Sequence, residues 1–258
     1  MGEARVNSPE TRLERLSWPE ISAAIASGKT TAIIAVASSE QHGPHLPEAT
    51  DALIGEGLAV RLAQRLGNAL VAPVIRPGCS AHHLDFPGSI SISPDLLLAI
   101  IDSYMVSLRR NGFRHFLIFS SHGGNFPVLA QMAERGLPPD VSVVSDLAGF
   151  TGTMLSALRP FGRDDITIPH ADASETAEML VLHPDLVHME RAEKGFVGKV
   201  GLPELQDRGL RAVSKNGVLG DPVGATSEMG EAVLNSLVDF LAAQVPTPKV
   251  AGSDPPRT

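Results

Sequence analysis

Among 258 residues there is one cysteine, one tryptophan and one tyrosine. The lone cysteine, Cys79, excludes an intrachain disulfide, so the fold must be held by packing; this also fits a reducing compartment. Long apolar runs are missing. No stretch approaches the roughly 20 residues that cross a bilayer. Met1 to Leu16 is polar and mixed in charge, with no apolar core of signal-peptide length. Basic runs are missing too: 21 Lys and Arg stand against 29 Asp and Glu, a formal net charge of −8. That balance argues against nucleic acid and membrane surfaces as partners, and the chain reads as cytoplasmic. No G-x-S-x-G elbow is present, which removes a serine hydrolase of that type. No G-x-G-x-x-G follows the first expected strand, which removes a dinucleotide fold.

What is present is an ordinary globular composition, 43% hydrophobic and 19% charged, with nine histidines. The length suits one large domain. Ser17 and Glu20 have capping-box spacing before the apolar positions Ile21, Ala24 and Ile25, so a short helix starts there and ends at Gly28. Residues 31–37 (TAIIAVA) form a buried strand. Asp51 to Leu66 has helical spacing with Gly67 as its stop, and residues 69–75 form a second strand. Residues 76–93 form an ordered loop. Ser93-Pro94 opens an amphipathic helix to about Arg110. Strands at 114–119 and 141–145, a Gly-rich turn into a helix at 120–127, and helices at 172–182 and 227–243 complete the pattern. Residues 194–224 are Gly/Pro-punctuated. Alternation of strands and helices specifies an α/β fold, a three-layer α/β/α sandwich with a mostly parallel sheet. It is a single domain over 1–244 with a Pro-rich flexible tail at 245–258.

In such sheets ligands bind beyond the C-terminal strand ends, and polar, His-bearing loops follow the first and third strands. The first loop carries Glu40, His42, His45 and Asp51 within twelve residues. Glu40 and His42, two apart, share one side of an extended segment, and Asp51 stands at a helix start. Carboxylates mixed with imidazoles suit zinc, manganese or iron. The second loop is Ser-Ser-His122-Gly-Gly124-Asn, where the glycines allow a tight turn or close backbone approach. A third cluster, His170, Asp172 and Glu175, sits at a helix start, where Glu175 alone could simply serve the helix dipole. His82 and His83 read equally as pocket residues or as an exposed turn pair. Cys79 has no activating neighbour and reads as structural.

The stretches SSEQHGPHLPEATD, FPGSISISP, SHGGN, HADASET and NGVLGDPVGAT occur in an order that resembles the creatininase family, over roughly residues 30 to 240. The resemblance implies a hexameric three-layer α/β/α hydrolase with two divalent metal ions, zinc or else manganese or iron. It places Glu40, His42, Asp51 and His122 as ligands, with Asp51 bridging. Glu175 becomes a further ligand or acid/base, and Glu175 and His170 the candidates for proton transfer. The implied reaction cleaves an amide C–N bond in a cyclic amide, formamide or peptide. Relatives of this family include creatinine amidohydrolases, deformylases and the mycofactocin precursor peptidase. A non-catalytic metal-binding protein on the same fold is the alternative of another class. There are two departures. Gly124 stands where creatininase proper has an acidic ligand, and the lone Trp18 lies outside the motifs, whereas creatininase proper closes its substrate between tryptophans. The second departure argues against creatinine as substrate.

Overall fold

The computed structural model of the chain describes residues 10–163 and 169–245. The expected tail, apart from its first residue, lies outside them. In chain order the elements are α1 (Trp18–Ala26), β1 (Thr31–Val36), α2 (Thr50–Leu66), β2 (Ala69–Val71), α3 (Pro94–Arg110), β3 (His115–Ser120), α4 (Phe126–Glu134), β4 (Val141–Val143), α5 (Leu147–Leu158), α6 (Ala173–Leu182), α7 (Leu202–Arg208), α8 (Leu210–Val213) and α9 (Ser227–Ala242). The start and stop signals act as the sequence implies. The Glu20 carboxylate accepts the Ser17 N–H at 2.7 Å, Ser93 Oγ accepts the Leu96 N–H at 3.3 Å, and Gly67 ends α2 with φ +74°.

The four strands lie in the order β2-β1-β3-β4, all parallel. Alternate side chains of β1 feed two separate cores, as period-two geometry requires. Ile33 and Ala35 pack with α2, α5, α6 and α9. Ala32, Ile34 and Val36 pack with α3 and α4. Helices therefore cover both faces, and the strands are apolar throughout because neither face meets water. β1 is buried at all six positions. The chain runs from β1 outward to β2, then returns to place β3 on the other side of β1. That reversal opens a crevice at the C-terminal ends of β1 and β3. Register carries the two ends side by side, Val36 opposite Ser120. The loops that leave them must therefore share that crevice.

Two strands are shorter than expected. β2 stops at Val71, because Pro73 offers no N–H to the ladder, and only Ile75 regains a bridge to Val36. The helix α5 was not expected from the pattern. Its glycines and threonines are poor helix formers. Packing supplies what propensity lacks: Phe150, Met154 and Leu158, spaced four apart, are buried in the core, and the Asp146 carboxylate caps the Gly149 N–H at 2.9 Å. Two short helices, α7 and α8, also form within the punctuated segment 194–224.

Candidate active site

Glu40, His42, Asp51, His122, His170 and Glu175 are all buried at the C-terminal ends of β1 and β3. The β1 loop supplies Glu40 and His42, the start of α2 supplies Asp51, the turn after β3 supplies His122, and the start of α6 supplies His170 and Glu175. Their ligand-type atoms converge in three overlapping groups: Glu40–Asp51–His122, His42–Asp51–Glu175 and Glu40–His42–His170. Asp51 joins the first two, since its Oδ2 faces His122 Nδ1 at 3.3 Å and its Oδ1 faces His42 Nε2 at 3.2 Å. Glu40 Oε1 lies 3.1 Å from His122 Nδ1. Glu175 Oε2 lies 3.6 Å from His42 Nε2.

The backs of the imidazoles are tied down. His42 Nδ1–H donates to the Glu40 carbonyl at 3.0 Å. His122 Nε2–H donates to the Cys79 carbonyl at 3.1 Å. His170 Nε2–H donates to the Gln41 carbonyl at 3.0 Å. In each ring the other nitrogen is thereby aimed at the cluster, the arrangement by which outer hydrogen bonds orient metal-binding histidines. His83 has the opposite sense. Its Nδ1 accepts from Gln41 Nε2 at 3.2 Å, so Nε2–H is the face turned to Glu40 Oε1 at 3.3 Å. His83 lies against that carboxylate without a hydrogen bond to it. Ala171, with φ +51°, turns the chain between His170 and α6, and its N–H donates to Glu175 Oε2 at 2.6 Å. Non-glycine residues rarely adopt this conformation, and where they do, functional sites are over-represented.

Burial and mutual charge set the protonation of the metal-free cluster. Burial pulls His42 down, but Asp51 and Glu175 outweigh it and hold the imidazole up at about 10. His122 is likewise raised well above its usual value, because Glu40 and Asp51 outweigh its burial. Burial raises Glu40, yet His122 and His83 hold it well below the usual carboxylate range. Burial and the nearby Asp51 carboxylate lift Glu175 to about 8 despite the pull of His42. His170 is pushed well below its usual value by burial and then by His42, so it stays neutral.

A cation fits this donor set. Both oxygens of Glu40, Nε2 of His42 and Oδ2 of Asp51 are buried without a hydrogen-bond partner, although each lies within a few ångströms of its neighbours. Buried polar atoms seldom go unmet. Here the unmet atoms fall in groups whose ligand-type atoms all lie within 4.8 Å of one another.

The sequence and the structure part at several residues. His45 is fully buried behind the site, with Nε2 2.9 Å from Thr176 Oγ1, and does not line the cleft. Asp172 caps α6, accepting the N–H of Ser174 at 3.0 Å, and is in none of the three metal-type groups. His82 and His83 are buried cleft residues, not an exposed pair. The short 3-10 turn at Ala81–His83, packed under α7, takes them out of water. Gly124 cannot carry a side chain on this backbone: a Cβ there would lie 2.3 Å from the Cys79 carbonyl and 2.4 Å from His122 Nε2. Glu175, from α6, lies in the other group, with His42 and Asp51. Trp18 is 80% exposed on α1 and does not line the cleft. Sequence reading missed the cleft's second wall altogether. Leu202, Leu205, Leu210 and Leu219 line it opposite the acids. Their helices are too short to show periodicity.

The chain matches the creatininase family model, described as creatinine amidohydrolase, over residues 14–245. It is 33% identical over 240 residues to the mycofactocin precursor peptide peptidase of Mycobacterium ulcerans (strain Agy99), covering 89% of this chain and 85% of that protein. Similarity to the creatinine amidohydrolase of Pseudomonas putida is 29% identity, over 68% of this chain and 73% of that one. The fold superposes on a crystal structure of creatinine amidohydrolase (creatininase) with a TM-score of 0.68 and 27% identity, covering 92% and 96% of the two chains. It does so equally on a structure described as creatininase Mn, with a TM-score of 0.68 and 25% identity over 91% and 97%.

Proposed function

Since the chain belongs to the creatininase family, we propose that it is a metal-dependent hydrolase of an amide C–N bond in a cyclic amide, formamide or peptide. The observation that carries this reading is Asp51, whose two oxygens face two histidines in two buried groups of unpartnered donors. Glu40, Asp51 and His122 would hold one divalent ion, and His42, Asp51 and Glu175 the other; zinc suits this donor set, with manganese or iron as alternatives. Bound there, such ions polarise an amide carbonyl and generate a nucleophile from water at neutral pH.

The chain's own residues supply the rest. His170, with Nδ1 3.9 Å from Glu40, would take a proton and hand it to the leaving nitrogen. The closed core beneath the cluster, Ala35 and Val36 of β1 and Phe119 of β3, keeps bulk water from the buried side. We assign His170 the proton-transfer role and Glu175 the ligand role.

A peptide substrate is the second reading. It is favoured by the likeness to mycofactocin precursor peptidases along most of both chains. Creatinine is not favoured, since no tryptophan is near the cleft. We further read residues 1–244 as one domain, in a cytoplasmic homo-oligomer, a hexamer by family likeness. Light scattering would then give a mass well above 27.2 kDa.

The test is amine release from a panel of formamides, lactams and short peptides by metal-stripped and reconstituted protein, alongside His170→Asn. Metal-dependent release with some member, cut about 100-fold or more by His170→Asn at unchanged metal content, is expected. Lost metal in His170→Asn would make His170 a ligand. Full metal loading with no hydrolysis anywhere in the panel would favour the non-catalytic binding protein.

A further inference from the structure

The cleft has two unlike walls. One is the buried acid–imidazole cluster. The other is aliphatic: Leu202 and Leu205 on α7, Leu210 on α8 and Leu219 beyond it. Leu205, Leu210 and Leu219 belong to a small core of their own with Val200. The side of that core turned to the cleft is therefore apolar and packed from behind, while Leu202, at its rim, is only half-buried. The enclosed space between the walls is only about 60 Å³ and opens to solvent. That is well under the roughly 300–1,000 Å³ of a drug-sized ligand site, so it admits a small group with the rest of a ligand lying along the rim.

Among the described residues that line the cleft there is no lysine or arginine. Arg211, on α8 itself, is exposed; its guanidinium lies over the Phe86 ring at 5.4 Å and donates to the Asp85 carbonyl at 2.8 Å. Nothing on the leucine wall can pair with a phosphate or carboxylate. Burying such a group there without a partner would be costly. An aliphatic or aromatic group would instead leave water on contact.

From these two observations we infer the substrate class: the group flanking the scissile amide bond is uncharged and apolar, and it seats on the Leu202–Leu205–Leu210–Leu219 wall. The α7–α8 segment is the specificity element of the site. This inference rests on the metal-hydrolase reading, because it takes the acid–imidazole wall as the place where the reacting carbonyl is held.

Hydroxamates test it, because their head group chelates divalent metal while their tail can be varied. Titration calorimetry on zinc-reconstituted full-length protein would compare acetohydroxamate, hexanohydroxamate and succinic monohydroxamate, whose tail ends in a carboxylate. Hexanohydroxamate should bind at least about tenfold more tightly than acetohydroxamate, with the succinic compound no tighter than acetohydroxamate. In Leu202→Ser, a rim substitution that leaves the small core intact, the gap between the hexanoyl and acetyl compounds should narrow several-fold. Leu202→Met should keep it. Equal affinity for all three compounds would overturn the apolar wall and leave the metal reading standing. An unchanged gap in Leu202→Ser would overturn its assignment to α7. Failure of all three to bind would overturn the metal reading and this inference with it.

Discussion

Replacing Gly124 with alanine is a small change with a large expected consequence. A Cβ at that position would sit 2.3 Å from the Cys79 carbonyl oxygen and 2.4 Å from His122 Nε2, short of the 3.0 Å floor for such contacts by 0.7 and 0.6 Å. The oxygen is backbone and cannot swing aside. The imidazole is the softer partner, but it is held at 3.1 Å by that same carbonyl. Relief therefore moves His122 or the Cys79 loop by more than half an ångström. The opposite ring nitrogen, 3.1 Å from Glu40 and 3.3 Å from Asp51, moves with it. Metal–ligand distances tolerate about ±0.2 Å. Gly124→Ala should thus weaken metal binding at Glu40–Asp51–His122 by about 10- to 100-fold, the usual cost of disturbing a ligand's support. The group His42–Asp51–Glu175 should remain loaded. Overpacking should cost about 1–3 kcal/mol of stability. Metal stoichiometry after dialysis against a weak chelator, with a thermal melt of the same sample, reads both effects. Wild-type stoichiometry and an unshifted midpoint would refute the reasoning. By the same geometry, Gly124→Glu should not supply an extra ligand, because its Cβ meets the same atoms.

Further outcomes follow from the same arrangement. Asp51→Asn keeps the side-chain shape but removes the charge both groups share, so metal content and turnover should fall together; near-normal turnover would end the bridging role. In the metal-free protein, His42 is raised from 6.5 to about 10 and Glu175 to about 8. A raised group stabilises the fold fully below its unfolded value and loses that contribution as pH rises through its folded value. The metal-free melting temperature should therefore fall between about pH 6.5 and 10, and metal binding at pH 7 should release protons. Calorimetry in two buffers of different ionisation heat measures this, and zero release would contradict the assigned protonation. Gly230 on α9 lies against α6, where a Cβ would stand 2.0 Å from the Ala177 carbonyl. Gly230→Ala should cost about 1–3 kcal/mol, read as a lower melting midpoint, and an unchanged midpoint would mean that the helices can part without loss.

The layers of the fold are legible in the chain because β1 and β3 are apolar at nearly every position and their flanking helices carry strong start and stop signals. The helix α5 was hidden because its propensity is poor and its stability comes from tertiary packing, which a local pattern does not report. At the site, the set Glu40, His42, Asp51 stood out by density, and the parallel register of β1 and β3 explains why His122 joins it. Glu175 was ambiguous from sequence, as any acid in a first helical turn is. What decides its place is the left-handed turn at Ala171, a backbone feature that no residue type announces. His45 looked equivalent to His42 in sequence. One lies behind the loop and the other faces the cluster because the chain reverses at Gly43. The leucine wall was illegible for a different reason. It is assembled from two short helices and a bridge residue distant in sequence.

Metal content per chain is the most direct test, measured by elemental mass spectrometry on protein purified without chelators or a metal-affinity tag. About two equivalents of zinc, manganese or iron are expected, lost together in Asp51→Asn. Protein that takes up none, even after reconstitution with each metal in turn, would contradict it.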